Sequence, residues 1–404
     1  MKICKSLIVL LSLISTGTIL AQTVKNPKFD SLVHKRVFHY DTKGFNGEGW
    51  DSLRAEINKA QIVLIGEQHG EAEIPVFTMN VADVFKPEAL VVEIDPYTAG
   101  KLKETSLNTM GYSSYFKQNP YDFAFYSYQT EMELARQMTL AHTDIWGLNE
   151  ISFLSLGTFF NTLGRMAKSP INRDLALKKA KEYALHDRPI YKNIDRYNDF
   201  SAYKLKASMV DSLLLSFRNE SNECKKMLRD LRSSLPIFTN NSYIARTNMM
   251  KKNLLNYLSS YITKDAINIP KLLFKFGANH VGRTDDLKGS FEVGSLADNL
   301  ADASGKLSLH ILVFGKIGTI NQMAPVDNTQ AIIPYDVSTD KELDMFAPFY
   351  SQIQGDEWAL FDLRPLRDAI GQGKVNVNPY LGKFIKAFDV LVIFGRTTGN
   401  RFIE

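Results

Sequence analysis

The sequence predicts an α/β protein: a mostly parallel central sheet flanked by helices, with a long all-helical insertion. Three observations carry this. Short apolar runs at 61–65, 89–94, 145–148, 271–277, 307–314 and 389–394 are interleaved with helical periodicity, the alternation that builds a parallel sheet. Four of these runs end in polar, chemically competent residues. Residues 151 to about 265 show helical spacing and no strand-like run. The expected division is 1–21 a signal peptide, 22–150 the first part of the α/β core, 151–265 the helical insertion, and 266–404 the second part of the core.

The chain has 404 residues, of which 45% are apolar and 23% charged, enough to bury a sizeable core. Lys2 and Lys5 precede an apolar run from Leu7 to Leu20, and Ala21 is a suitable cleavage residue. This is the pattern of a secretory signal peptide, and it leads to an expected location in the periplasm or outside the cell. An uncleaved N-terminal anchor is the other reading. No later apolar run reaches the roughly 18 residues of a membrane helix, so no stable membrane span is expected after cleavage. Loss of the two lysines lowers the formal net charge from +4 to +2. That charge gives no electrostatic footprint for nucleic acid or an anionic membrane, so the expected partner is a small-molecule substrate. The remaining cysteine, Cys224, cannot form an internal disulfide and has no histidine or glycine-rich turn beside it.

Residues 23–48 show no clear periodicity and read as an extended N-terminal arm. Trp50, Leu53, Ile57 and Ala60 mark one face of a short helix. The first strand, 61–65, runs into Gly66-Glu67-Gln68-His69-Gly70-Glu71. Ile74, Val76, Phe77, Val81, Val84 and Phe85 suit a helix that Pro87 ends. The second strand, 89–94, carries Glu93 at its end, and Asp95-Pro96 breaks the chain. Residues 111–128 hold Tyr112, Tyr115, Phe116, Tyr121, Phe123, Phe125, Tyr126 and Tyr128. They are either an aromatic layer packed on the sheet or a wall contacting substrate. Thr130-x-x-Glu133 has the spacing of a capping box for a helix through Leu140. Ile145–Leu148 is a third strand, ending at Asn149 and Glu150. After the insertion the sheet resumes at 271–277, ending at Asn279 and His280, and then at 307–314 and 389–394. Residues 319–387 are the least legible part.

If these strands are parallel neighbours, Glu67, His69, Glu93, Asn149, Glu150, Asn279 and His280 emerge together at the carboxyl edge of the sheet, where open α/β folds place their pockets. The chemistry this permits is acid–base. A histidine oriented by a carboxylate can deprotonate water, and an arginine or second histidine can stabilise the oxyanion that follows. The same groups, two histidines with Glu67 or Glu93 and foremost the set Glu67, His69 and His280, could instead hold a divalent metal, or serve only structure. Tyr126, Asn149 and Asn279 are expected to contact substrate. Gly-x-Ser-x-Gly, Gly-x-x-x-x-Gly-Lys-Ser/Thr, Cys-x-x-Cys and His-Glu-x-x-His motifs do not occur. His34, His39, His142 and His186 stand in no such context, and His310 alternates within a strand as a core residue would.

Five ordered motifs resemble the erythromycin esterase-like and ChaN-like superfamily. They are Gly66-Glu67-Gln68-His69-Gly70-Glu71, Val91-Val92-Glu93, Arg246-x-x-x-Met250-x-x-Asn253, Gly277-Ala278-Asn279-His280-Val281-Gly282-Arg283 and Phe388-Asp389-Val390-Leu391-Val392. The resemblance implies a hydrolase of ester or related acyl bonds. His69 would be the general base on water, Glu67 and Glu93 would orient it, and Arg246 and His280 would stabilise negative charge. It implies no cofactor; a divalent metal or haem is the alternative carried by other members. Gly277 stands where the esterases have the first histidine of their late His-Asn-x-His loop, and Lys251 where they have alanine. Arg246 read by itself could equally be a surface ion-pair residue.

Overall fold

The computed structural model describes residues 27–403 apart from Ala324; the expected signal peptide, 1–21, lies outside the described residues. Ten described strands form one sheet: β1 (Lys35–Asp41), β2 (Gly44–Asn46), β3 (Ile62–Glu67), β4 (Ala89–Val92), β5 (Asp144–Gly147), β6 (Leu272–Gly277), β7 (Ser308–Asn321), β8 (Ile332–Asp336), β9 (Trp358–Asp362) and β10 (Val390–Thr397). Their order is β2-β1-β9-β10-β7-β3-β6-β4-β5, with β8 paired to β7 off that path. The six strands from β10 to β5 are all parallel to their neighbours, and the strands added outside that block run antiparallel. This is the mixed, mostly parallel α/β sheet that the apolar runs predict.

The parallel block is buried on both faces, which is why its strands read as continuous apolar runs rather than alternating ones. Along β3, Val63 and Ile65 enter one apolar cluster and Ile62 and Leu64 the other. Each such fully buried side chain contributes about 1.5–3 kcal/mol. Adjacent parallel strands share a polarity, so their carboxyl ends open on one edge. The chain leaves β3 for β4, returns to place β6 between them, and then crosses to β7 on the far side of β3. A reversal of this kind, here beside β3 and β6, is where open α/β sheets place their ligand crevice.

The helices 74–85 and 50–60 of the sequence reading are found at Glu73–Phe85 and Glu48–Ile57. Two other readings are corrected. The described part of 23–48, residues 27–48, is not an extended arm: β1 and β2 form a hairpin, and β1 pairs with β9 to enlarge the sheet. Phe38 and Phe45 pack there against Trp50, Phe77 and Trp358. Thr130 does not cap a helix. The helix Gln129–Leu140 starts one residue earlier, and its first N–H groups meet the Arg401 carbonyl and Asn400 Oδ1. The acceptors come from an extended segment at 398–402 instead of from Thr130, while Glu133 pairs with Arg136.

Between β5 and β6 the chain is helical. Helices Leu156–Met166, Pro170–Asp187, Ala207–Ser216 and Asn222–Asn240 share a separate apolar cluster that includes Phe160, Leu163, Val210, Phe217 and Leu231. The helix Tyr243–Tyr257 belongs to the sheet instead. Its Met250 and Leu254 are buried against strand residues, and Tyr257 stacks on Trp146 at 4.8 Å. No described helix is long and apolar enough to cross a membrane.

Candidate active site

Glu67 is the last residue of β3, directly opposite Gly277 at the end of β6. Both lie on the face that also holds Ile65 and Leu273, because side chains alternate along a strand. His69 follows two residues later in the turn. Its Nδ1 lies 2.8 Å from Glu67 Oε1 and its ring stacks on Phe125 at 4.2 Å. On the other side Nε2 faces Glu93 Oε2 across 3.5 Å, beyond a good hydrogen bond.

Glu93 follows β4. Its Oε2 accepts from the Gly277 N–H (2.8 Å) and its Oε1 from Arg246 Nη2 (2.7 Å). Arg246 sits in the first turn of Tyr243–Tyr257, whose start Ser242 caps through the Ala245 N–H. Further along the helix Asn253 donates to the carbonyl of Leu148 (2.8 Å), which ties the helix to the end of β5. The Arg246/Met250/Asn253 spacing thus has a mechanical reading: guanidinium in the site, thioether in the core, amide on the sheet edge. Arg246 Nε also meets Asn149 Oδ1 at 3.2 Å and Glu150 Oε2 at 3.3 Å, and Nη1 lies 3.2 Å from His280 Nε2. His280 Nδ1 meets Glu292 Oε2 at 3.1 Å.

Glu67, His69, Glu93, Asn149, Arg246 and His280 therefore converge on one place. Two expected substrate contacts do not join them. Tyr126 is fully buried beneath the site, in the aromatic layer on the sheet, and its hydroxyl has no partner among the described residues. A ring sealed under the sheet edge cannot meet a solute arriving from solvent. Asn279 is exposed, with no side-chain bond to the cluster. Three residues that sequence reasoning missed do belong: Lys275, Glu131 and Glu292. Lys275 is wholly buried in β6, with Nζ 2.6 Å from Glu67 Oε2 and 2.6 Å from Glu131 Oε1. Its signal was a lysine inside the run Leu272-Leu273-Phe274-Lys275-Phe276, where an unpaired charge could not persist.

The electrostatics follow from these contacts. Burial alone would lower the basicity of His69, but Glu67 and Glu93 outweigh it and push the imidazole up to about 9. Burial raises Glu93, and His280, His69 and Arg246 overcome that to hold it well below the usual carboxylate range. Glu67 is lowered in the same way, with Lys275 and His69 overcoming its burial. Glu131, although it touches Lys275, is pushed up by burial to about 7. At neutral pH His69 is an imidazolium between two carboxylates.

The alternative ligand set Glu67, His69 and His280 does not fit a metal. Among the described residues no group of three or more His, Cys, Asp or Glu side chains is placed to hold one. Lys275 and His69 Nδ1 take up both oxygens of Glu67, and His280 Nε2 faces a guanidinium. The residue that would hold a haem is His69 through Nε2, and the Glu93 carboxylate faces that nitrogen at 3.5 Å. Elsewhere His186, Asp187 and Ser201 also meet, but the serine and the carboxylate both approach Nδ1, so the ring cannot pass a proton between them.

Gly277 has a specific role. A Cβ there would lie 3.1 Å from His69 Nε2 and 3.4 Å from Glu93 Oε2. The missing side chain leaves space beside the nitrogen of His69 that makes no hydrogen bond.

No family model matches the chain, and no curated protein matches it in sequence. Solved structures share its fold. An erythromycin esterase mutant in its open conformation superposes with a TM-score of 0.54, at 11% identity, over 92% of this chain and 100% of that one. A succinoglycan biosynthesis protein superposes with a TM-score of 0.54, at 15% identity, over 93% and 97%. A Bacillus cereus protein gives 0.53, at 16% identity, over 87% and 92%. The chain has the erythromycin-esterase fold.

Proposed function

We propose that the protein is an erythromycin-esterase-like hydrolase that activates water with His69 and acts on an ester or related acyl bond. The observation that carries this is the gap at Gly277. It lies between His69 Nε2, whose other nitrogen is anchored by Glu67, and the carboxylate of Glu93. A water there could give its proton to Nε2 and be aligned by Glu93. Three of the five Arg246 N–H groups are engaged by Asn149 and Glu150, Glu93 and His280; the other two are what can meet a developing oxyanion. The fold shared with an erythromycin esterase supports ester chemistry. The Lys2/Lys5 start and the Leu7–Leu20 run support export through the N-terminal segment.

The base must be neutral to work. Because His69 is held at about 9, kcat/KM is expected to rise roughly tenfold per pH unit from pH 6 and to level near pH 9. A panel of esters and lactones assayed from pH 6 to 10 tests this. A profile that is flat, or that peaks below pH 7, removes His69 as the base.

Gly277→Ala tests the gap itself. Gly277 has φ −52° and ψ 138°, which alanine adopts without strain. The variant should fold with a stability within about 1 kcal/mol of the unsubstituted chain, the backbone gain being offset by a Cβ 3.1 Å from His69 Nε2, yet lose roughly 10- to 100-fold in kcat/KM, since the methyl group fills the water's place. Full activity would show that nothing needed sits there.

A further inference from the structure

Lys275 is a charged group in this site that the hydrolytic reading does not use. It has no exposed surface, its ammonium bridges Glu67 and Glu131 at 2.6 Å each, and the rings of Phe125 and Tyr126 lie 5.8 and 5.3 Å from its Nζ. Phe125 in turn stacks on His69. A lysine without solvent access cannot touch substrate. It can decide where Glu67 points, because one carboxylate oxygen faces the ammonium and the other faces His69 Nδ1.

We infer that Lys275 is a positioning residue: by bridging Glu131 and Glu67 it fixes the carboxylate that orients His69 and limits the negative charge the imidazole experiences. The charged and polar groups run in alternation from Glu131 through Lys275, Glu67, His69, Glu93 and Arg246 to Glu150. These come from every element packed around the imidazole: Glu67 from β3, Lys275 from β6, Glu131 from the helix Gln129–Leu140, Glu93 after β4. Arg246 and His280 act through Glu93, and Glu71 lies next in the turn. Lys275 and Glu131 reach His69 from the same side with opposite signs. A cation and an anion a few ångströms beyond Glu67 act on the imidazolium in opposite directions.

The test follows the His69 ring by NMR titration in the full folded chain, so it needs no substrate. The inference rests on the hydrolytic reading only for its consequence on turnover. An absence of ester turnover would sink that reading and leave the titration intact. Lys275→Met removes the nearer cation while Glu131 takes a proton and loses its more distant charge; the nearer loss dominates, and the His69 midpoint should rise by roughly half a pH unit. Glu131→Gln removes the distal anion while keeping the lysine, and the midpoint should fall. A residue that merely fills space gives no such opposed pair. If Lys275→Met does not fold, Glu131→Gln decides alone. A midpoint that stays where it is in the unsubstituted chain, or moves the other way, in either folded variant overturns the inference.

Discussion

Replacing His69 with alanine is expected to lower kcat/KM for any ester the protein turns over by about 10³-fold, with KM little changed. The imidazole supplies the base, and a positioned general base contributes typically 10²–10⁴. The variant should also be less stable, in a pH-dependent way whose sign can be worked out. His69 goes from its ordinary 6.5 to about 9 on folding. A raised value in the folded state means its contribution is fully present below pH 6.5 and is lost as pH rises through 9. Chemical denaturation of both forms at pH 6 should therefore show a deficit on the order of 3 kcal/mol, shrinking toward pH 9. Without the imidazolium, Glu67 and Glu93 face each other's charge from buried positions. Equal activity in the two forms removes the mechanism; equal stability at pH 6 would show that the imidazole is not charged there.

Arg246→Met is expected to damage both fold and chemistry. The guanidinium is the partner of Glu93 and of Glu150, and it lies against His280. Breaking a largely buried pair by removing one partner leaves a carboxylate without compensation. For a side chain about a quarter exposed the cost should be about 2–4 kcal/mol, read from the denaturation midpoint at pH 7. Activity should fall about 10²-fold or more, because Glu93 would lose its alignment on the attacking water and the oxyanion its donors. Arg246→Lys should recover little of either. One ammonium cannot reach Glu93, Asn149 and Glu150 with the geometry of a planar fork. Recovery by lysine would mean that only the charge matters.

The parts of this site legible in the sequence are those written in local pattern. A four-residue apolar run that stops at an acid, as at Glu67 and Glu93, marks the open edge of a buried parallel strand, and four such endings converge because their strands are neighbours. Arg246, far away in sequence, entered through its motif; the structure explains it by the cap at Ser242 and the clamp at Asn253. What stayed hidden depends on long-range contact. Lys275 looked like an ordinary strand lysine, since its two partners lie 208 and 144 positions away in the chain. The β1–β2 hairpin has only Phe38 and Phe45 buried among its residues, too little for a period to show. The start of the helix Gln129–Leu140 is capped by residues near 400, so the local Thr130/Glu133 spacing misled. Tyr126 reads in sequence as a substrate contact, because a buried and an exposed aromatic look alike in one dimension.

Water activated beside His69 is expected to attack the acyl carbon directly, without a carboxylate of the protein as nucleophile. A single turnover in ¹⁸O-labelled water, with enzyme in excess over ester, reads this. Direct attack puts one labelled oxygen in the acid formed on that first turnover. An unlabelled acid, with the label later recovered on Glu67 or Glu93, would contradict it.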